Sequence, residues 1–247
     1  MRVGELIAVL SGKGGTGKTS LCAGIATALA EQGLKILCID CDIGLRNLDI
    51  SLGLTDMSTL SFREVCGGDY SLEQSTVHPQ FPGLRFLTAP MNCDAEAIDR
   101  SAVGDMLRKA RETFDYVFLD APAGIDAGFQ LCAFFADRLI LVTGSDPASI
   151  RDAARTGEVL ELMGKGNIRL VVNRVHPKLF DRMGITVDDV MDRAGLPLLG
   201  IVPEDPNVIL AAAEHKPLLK LGKKGAAGAC RRIAKRIQGQ PVSISIR

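Results

Sequence analysis

The chain has no tryptophan and two tyrosines; with nine phenylalanines, aromatic residues make up 4% of it. The core must therefore be built from Ile, Leu, Val and Ala, and the composition argues against an aromatic stacking platform for single-stranded nucleic acid. Net charge is absent too, because 29 Lys and Arg balance 29 Asp and Glu. No overall field draws the chain to DNA or a membrane. No window approaches the roughly 18 uninterrupted apolar residues of a membrane span, and the short apolar run after Glu5 is not that of a signal peptide. The cysteines at 22, 38, 41, 66, 93, 132 and 230 are odd in number and scattered. That predicts reduced thiols in a cytoplasmic protein, not a disulfide framework. His78, His176 and His215 stand apart from one another, each beside Pro or a charge, and are expected at the surface. Repeats, low-complexity tracts and Pro- or Ser-rich linkers are missing as well. The 247 residues read as one domain (1–247) with a basic C-terminal helix and tail at about 222–247.

What the sequence has is 47% hydrophobic residues, arranged in short continuous runs. Leu6–Leu10, Lys35–Asp40, Asp115–Asp120, Arg138–Val142 and Ile168–Asn173 are the clear ones; Leu84–Leu87 and Leu198–Val202 are less marked. Near-continuous apolar runs are the signature of strands buried on both faces, hence of a parallel sheet. Helical periodicity falls between them, over Thr19–Glu31, Ala95–Thr113 and Ser149–Leu162. Repeated strand–helix–strand order predicts an α/β fold, an open, doubly wound, mainly parallel sheet with helices on both faces. Ligands bind such sheets at the carboxyl ends of the strands, so the polar residues that close the runs are the candidates for function.

Gly12-Lys13-Gly14-Gly15-Thr16-Gly17-Lys18-Thr19 closes the first run and opens the first helix, which is the context a G-x-x-x-x-G-K-[ST] phosphate loop requires. Its glycines let backbone amides wrap phosphate, and the helix N-terminus adds a positive dipole. Lys18 is placed to reach the β- and γ-phosphates and the Thr19 hydroxyl to ligate Mg2+. Ser20 follows in the same first turn as a further cofactor contact. Lys13 is a second cation in the loop, suited to a transferring phosphoryl group; reaching across a dimer interface would solve its geometry. Asp40 and Asp120 close two strands beside the loop and are candidate Mg2+ ligands, directly or through water. Asn173 closes another strand with an amide that can both donate and accept, as an adenine edge requires.

Lys13 to Thr19 resembles the deviant Walker A motif of the MinD/ParA family of ATPases. Asp40-Cys41-Asp42-Ile43-Gly44-Leu45-Arg46-Asn47-Leu48-Asp49 is similar to switch I of the MinD branch, and Asp120-Ala121-Pro122-Ala123-Gly124-Ile125 to its Walker B and switch II segment. The likeness continues through Ser149–Asp152, Asn173-Arg174 and Val202–Asp205, covering most of 5–240. Serine is common in the family where this chain has Ala121. The resemblance implies ATP and Mg2+ as cofactors and slow, partner-stimulated hydrolysis. Lys13, Lys18 and Asp42 are then the catalytic residues, Asp42 positioning or activating the attacking water. The adenine lies near Asn173, Arg174 and the Pro203-Glu204-Asp205 loop. It further implies an ATP-bound homodimer, a MinC-like division inhibitor, a MinE-like activator and peripheral membrane contact, with DNA not favoured. A ParA-like or flagellar-number cargo-positioning ATPase is the alternative within the family, and a small-molecule kinase the alternative outside it.

Residues 221–247 hold seven basic residues and no acid, leaving the first 220 with a net charge of −7. Cys230, Ile233, Ala234 and Ile237 mark one helical face and Arg231, Arg232, Lys235 and Arg236 the other. This reads as a last helix packed on the sheet with a solvated basic face; attraction to anionic lipid is the alternative. Members of the MinD branch usually end in a further amphipathic helix, whereas Gly239–Arg247, with Pro241 and period-2 alternation, does not form one. Cys38 and Cys41 make a C-x-x-C with no second ligand pair, so packing is expected of them instead of zinc. Cys93 and Cys132 invite comparison with the cluster-binding nitrogenase iron-protein class, but Cys132 lies twelve residues past Asp120, the wrong spacing.

Overall fold

A computed structural model describes residues 3–91, 98–184 and 186–244. Its strands are β1 (Glu5–Leu10), β2 (Ile36–Asp40), β3 (Thr76–Val77), β4 (Leu84–Leu87), β5 (Tyr116–Asp120), β6 (Arg138–Thr143), β7 (Ile168–Val175) and β8 (Leu198–Pro203). They form one sheet in the order β3-β4-β2-β5-β1-β6-β7-β8, parallel throughout except for the β3–β4 edge pair. The long helices are α1 (Lys18–Ala30), then, after the short α2 (Leu48–Leu52) and α3 (Phe62–Cys66), α4 (Arg100–Thr113), α5 (Ala127–Phe135) and α6 (Pro147–Leu162). The chain continues through α7 (Pro177–Met183), α8 (Val187–Ala194), α9 (Asn207–Ala213) and α10 (Leu218–Leu221) to α11 (Gly225–Ile237).

Alternation along β1 shows why its run is continuously apolar. Leu6, Ala8 and Leu10 enter one core with residues of α4, α5, α6 and α8, while Ile7 and Val9 enter a second core with α1, α2, α10 and α11. Both faces are covered, so neither register of side chains can be polar. α1 is apolar all round and buries eleven of its thirteen residues, as a helix wedged between sheet and other helices must.

The expected strands are all present, and helix boundaries differ by their caps. α4 begins at Arg100 because the Asp99 carboxylate accepts from the amides of Ser101 and Ala102; the expected start at 95 lies outside the described residues. α6 begins two residues before Ser149, since Asp146 caps it and Pro147 fits its first turn. The two-residue β3, which adds an antiparallel edge, went unanticipated, as did the short helices α2 and α3 after β2 and α7 to α10 later in the chain. No helix among the described residues is long and apolar enough to cross a membrane.

The C-terminal helix packs as expected, with Cys230, Ile233, Ala234 and Ile237 buried against α1 and β8. Its basic face is less free than the sequence suggests. Arg231 pairs with Glu31 at 2.6 Å and donates to the carbonyls of Gly222 and Leu219. Arg236 donates to the carbonyls of Leu199, Val242 and Ser243, holding the tail against the sheet. Residues 241–244 are not helical, and 245–247 lie outside the described residues. His78 departs from expectation. It is 1% exposed, with Nε2 on the Leu52 carbonyl at 2.8 Å and Nδ1 accepting from the Gln80 amide at 3.1 Å. Its ring meets Phe81 edge-on, so two backbone partners and an aromatic neighbour make burial of a neutral imidazole affordable. His176 and His215 are exposed.

Candidate functional site

The sheet's carboxyl edge gathers most of the candidates. β1 ends at Leu10, and the loop from Ser11 to Gly17 turns into α1 at Lys18. Gly17 is left-handed (φ 82°), and a Cβ there would also strike the Asn173 amide, so both conformation and space demand glycine. Gly14 and Gly15 face open space: a Cβ on either meets nothing within 4 Å. The loop is thus an exposed cradle of backbone. Two buried hydroxyls beside it, Ser11 Oγ and Thr16 Oγ1, have no hydrogen-bond partner among the described residues.

Lys18 leaves the cradle inward. Its Nζ donates to Asp120 Oδ1 at 2.8 Å and to Thr19 Oγ1 at 3.3 Å, and the pair is almost wholly buried. Burial alone would drag the Lys18 ammonium down. The Asp120 charge and its hydrogen bond outweigh that and hold it above its ordinary value. Burial lifts the Asp120 carboxyl while Lys18 and the Thr19 hydroxyl pull against it.

Asp40 is the register partner of Asp120 across β2 and β5. Burial, then the Asp120 charge, pushes Asp40 up to about 7, against the two amides, of Asp42 and Leu48, that donate to it. Two buried carboxylates and the Thr19 hydroxyl therefore converge beside the cradle. Among the described residues no cage of three or more His, Cys, Asp or Glu exists. A donor set of few, hard oxygens fits Mg2+, which keeps waters and takes the rest of its ligands from phosphate.

Asp42 sits two residues on, half-buried, its Oδ1 accepting from the amides of Gly44 (3.2 Å) and Leu45 (3.3 Å). This turn projects Leu45, 72% exposed, while Arg46, left-handed at φ 45°, donates to Thr88 Oγ1. The segment after β5 is tied to the phosphate loop: Gly124 N donates to Ser11 O at 3.0 Å and Ala121 N to Val9 O. Lys13 is exposed on the rim of a cavity of about 270 Å³, whose far wall is Gly144, Ser145, Asp146 and Ser149 beyond β6. Of that wall the sequence pointed only to Ser149, although the rule that ligands gather at strand carboxyl ends points to the whole end of β6.

A second cavity, of about 320 Å³, adjoins the loop from the other side. Gly17, Ser20, Asn173, Arg174 and the Pro203-Glu204-Asp205 loop all line it, with Val202, Val208 and Ile209 as apolar wall. The structure thus brings these predicted contacts together. The Asn173 amide, however, already donates to the Thr16 carbonyl at 2.7 Å, and Arg174 pairs with Glu204 at 3.1 Å. Among the described residues Cys38 and Cys41 join no group of three or more metal-ligating side chains: Cys38 is fully buried and its thiol is pushed up by burial, and Cys41 packs against Cys132. Cys93 lies outside the described residues, and the other six cysteines are free.

The sequence model of the CobQ/CobB/MinD/ParA nucleotide-binding domain matches residues 7–218. The septum site-determining protein MinD of Synechocystis is 36% identical over 241 residues, covering 96% of this chain and 91% of its own. The MinC:MinD cell division complex of Aquifex aeolicus contains a chain that superposes with a TM-score of 0.89 at 34% identity, 98% of each chain being covered. The Pyrococcus horikoshii septum site-determining protein MinD, solved with Mg-ADP, gives a TM-score of 0.81 at 28% identity over 94% of this chain and 95% of its own. Matched from end to end in sequence and in fold, and with a P-loop carrying a second lysine, this chain belongs to the MinD family of septum site-determining ATPases.

Proposed function

We propose that the chain, acting as one domain over 1–247, is an ATP-driven dimerisation switch that positions the division septum by recruiting a division inhibitor. The observation that carries this reading is Lys13. It is an exposed cation on an open cradle whose other lysine, Lys18, is already committed inward to Asp120. A lysine so placed suits a phosphate on a second copy of the chain better than its own. The cradle from Gly12 to Thr19, with Ser20, takes the phosphates. Ser11 and Thr16 hydroxyls have hydrogen-bonding capacity left for that side. The 320 Å³ cavity takes the base between Asn173, Arg174 and the Pro203–Asp205 loop.

Thr19, Asp40 and Asp120 would hold Mg2+, which when bound supplies charge neutralisation on the phosphate oxygens. Lys18 then has a role beyond charge. In the unliganded site it neutralises Asp120, and it exchanges that carboxylate for phosphate when nucleotide enters. Asp42, half-exposed on a turn it caps itself, orients the attacking water; its own hydrogen bonds to Gly44 and Leu45 hold the carboxylate in place. Hydrolysis then removes the group that Lys13 crosses over to meet, and the dimer parts.

The Aquifex relative was solved with MinC and the Pyrococcus relative with Mg-ADP, which supports an inhibitor of that class and ATP with Mg2+ here. A MinE-like activator is assigned by the same kinship. The chain works in the cytoplasm. Membrane contact, where it occurs, belongs to the ATP dimer, which doubles a basic C-terminal face too weak alone.

Sedimentation velocity with ATP and Mg2+ tests the switch. The wild type dimerises transiently, Asp42→Ala accumulates as a dimer, and Lys13→Ala stays monomeric while still binding ADP. A Lys13→Ala protein that dimerises normally rules the reading out. Pelleting of Asp42→Ala with anionic vesicles, with ATP and not with ADP, tests the membrane assignment.

A further inference from the structure

Cys41 follows β2, and its amide donates to the Asp120 carbonyl at 2.9 Å, so the ladder to β5 runs one residue past the strand. Alternation then sends Cys41 to the side of Ile39, into the core that holds α4 and α5, and Cys38 to the opposite core. On α5, Cys132 is 1% exposed and shares a buried stripe with Phe129 and Ala133. The thiols of Cys41 and Cys132 are in hydrogen-bonding contact. Both line one apolar void of about 20 Å³, together with Phe62, Met106, Leu119 and Phe135. Both are free, and Cys41 is half-buried at the start of a loop. Cys66 is engaged elsewhere, with its Sγ 3.6 Å from Met106 Sδ.

The pair spans two segments that flank the phosphate cradle. Cys41 stands between Asp40 and Asp42. The loop after it folds back on Asp40, which accepts from the Asp42 amide at 2.9 Å and from the Leu48 amide at 3.1 Å. The helix of Cys132 begins just past Gly124, whose amide donates to the Ser11 carbonyl at 3.0 Å. A bond between the two sulfurs fixes the start of the Asp42 loop to α5.

We propose that Cys41 and Cys132 form a reversible oxidation site, which a hydroperoxide closes to a disulfide. The Cys41 sulfur takes the terminal peroxide oxygen: an S–O bond forms, the O–O bond breaks, and an alcohol (water, from hydrogen peroxide) leaves. The Cys132 sulfur then attacks Cys41. The S–S bond forms, the S–O bond breaks, and the oxygen departs as water with the Cys132 proton. Two thiols and one hydroperoxide thus give one disulfide, one alcohol and one water, and a thiol reductant reverses the change. A disulfide needs Cβ atoms about 3.5–4.5 Å apart, which thiols already in contact reach by turning into the void. Contact with Cys132, then burial, raises the Cys41 thiol above its ordinary value, which slows the first step. Disulfides in cytoplasmic proteins are characteristically transient and redox-sensing. The effect on turnover, unlike the cross-link itself, rests on the nucleotide reading above: a loop pinned beside Asp42 cannot rearrange when Asp40 exchanges its amide partners for metal.

Peptide mass spectrometry and an ATPase assay on the same samples test the site. The full chain is treated with hydrogen peroxide, alkylated with iodoacetamide and digested with trypsin. Peptides 36–46 and 112–138 should appear joined, lighter than their sum by two hydrogen atoms and separated by dithiothreitol. Fragmentation should place the bond on Cys41 and not on Cys38. Turnover of ATP should fall by about fivefold in the oxidised protein and return with dithiothreitol. Cys132→Ala should match the reduced wild type before treatment and keep its activity through it; Cys132→Val serves if the alanine variant does not fold.

A bond from Cys41 to Cys66, a bond between two chains, or no bond at all overturns the proposal. So does a cross-linked protein that turns over ATP at the reduced rate, or a Cys132 variant that loses activity to peroxide as the wild type does. A reduced wild type that hydrolyses no ATP defeats the nucleotide reading instead, and the mass spectrum still decides whether the two thiols pair.

Discussion

Lys18 and Asp120 form an ion pair that is 6% and 1% exposed as residues, inside the site that is to hold phosphate. Such a pair is poor evidence for stability, but breaking it by removing one partner leaves a buried charge without compensation. Lys18→Met should therefore destabilise the unliganded protein by about 3 kcal/mol in urea unfolding. Asp120→Asn in the same background should restore part of the loss, because the uncompensated charge goes with it. His78 gives a prediction of its own. Burial, more than the nearby Lys220, lowers its pKa against the Leu52 hydrogen bond, so the folded state favours the neutral ring. The unfolded chain then binds the proton more readily, and stability present above the ordinary value of 6.5 is lost as pH falls below it. Denaturant titrations at pH 7.5 and 5.5 should show that loss in the wild type and a smaller one in His78→Gln.

At the level of elements, α1 carries two kinds of contact. Its N-terminus opens the phosphate loop, and its middle packs on α11 so closely that a Cβ on Gly24 would sit 2.6 Å from Cys230 Sγ. Gly24→Ala gains helix propensity and loses more to overpacking, a net cost of about 1 kcal/mol. Cys230→Ala makes room, so a double-mutant cycle should return a favourable coupling of about 1 kcal/mol or more. The same packing explains why the basic residues of α11 do not form a free electrostatic face. The helix lies against the sheet with Arg231 over Glu31, and Arg236 ties down the strand start and the tail. Helical periodicity located the buried stripe correctly. It could not show which arginines find partners from α1 and β8, distant in the chain.

For the molecule as a whole, the proposed switch makes activity a matter of concentration. On that proposal each site takes Lys13 from another copy of the chain. Specific ATPase activity should rise several-fold across the range in which the protein self-associates with ATP. In mixtures, Lys13→Ala subunits should depress the wild-type rate beyond simple dilution. A steady-state assay over protein concentration, with and without the variant, checks both. The zero net charge fits this economy, because no overall repulsion keeps two copies apart.

The legible features were those carried by contiguous residues. The continuous apolar run of β1 announces a strand buried on both faces, and Gly12 to Thr19 directly after it announces a phosphate loop, because each is a local demand met by neighbours in the chain. Asp40 and Asp120 were recognisable as strand-end acids, and parallel register then sets them side by side. Other features depend on partners far apart in sequence, which no periodicity encodes. His78 is buried because Leu52 offers a carbonyl 26 positions away, and Asn173 faces the loop because a bulge in β7 meets Thr16 across 157 positions. A side chain's chemical repertoire is written in its residue type. Which of its possible partners it takes is settled by the geometry of packing, when strands and helices distant in the chain close on one another.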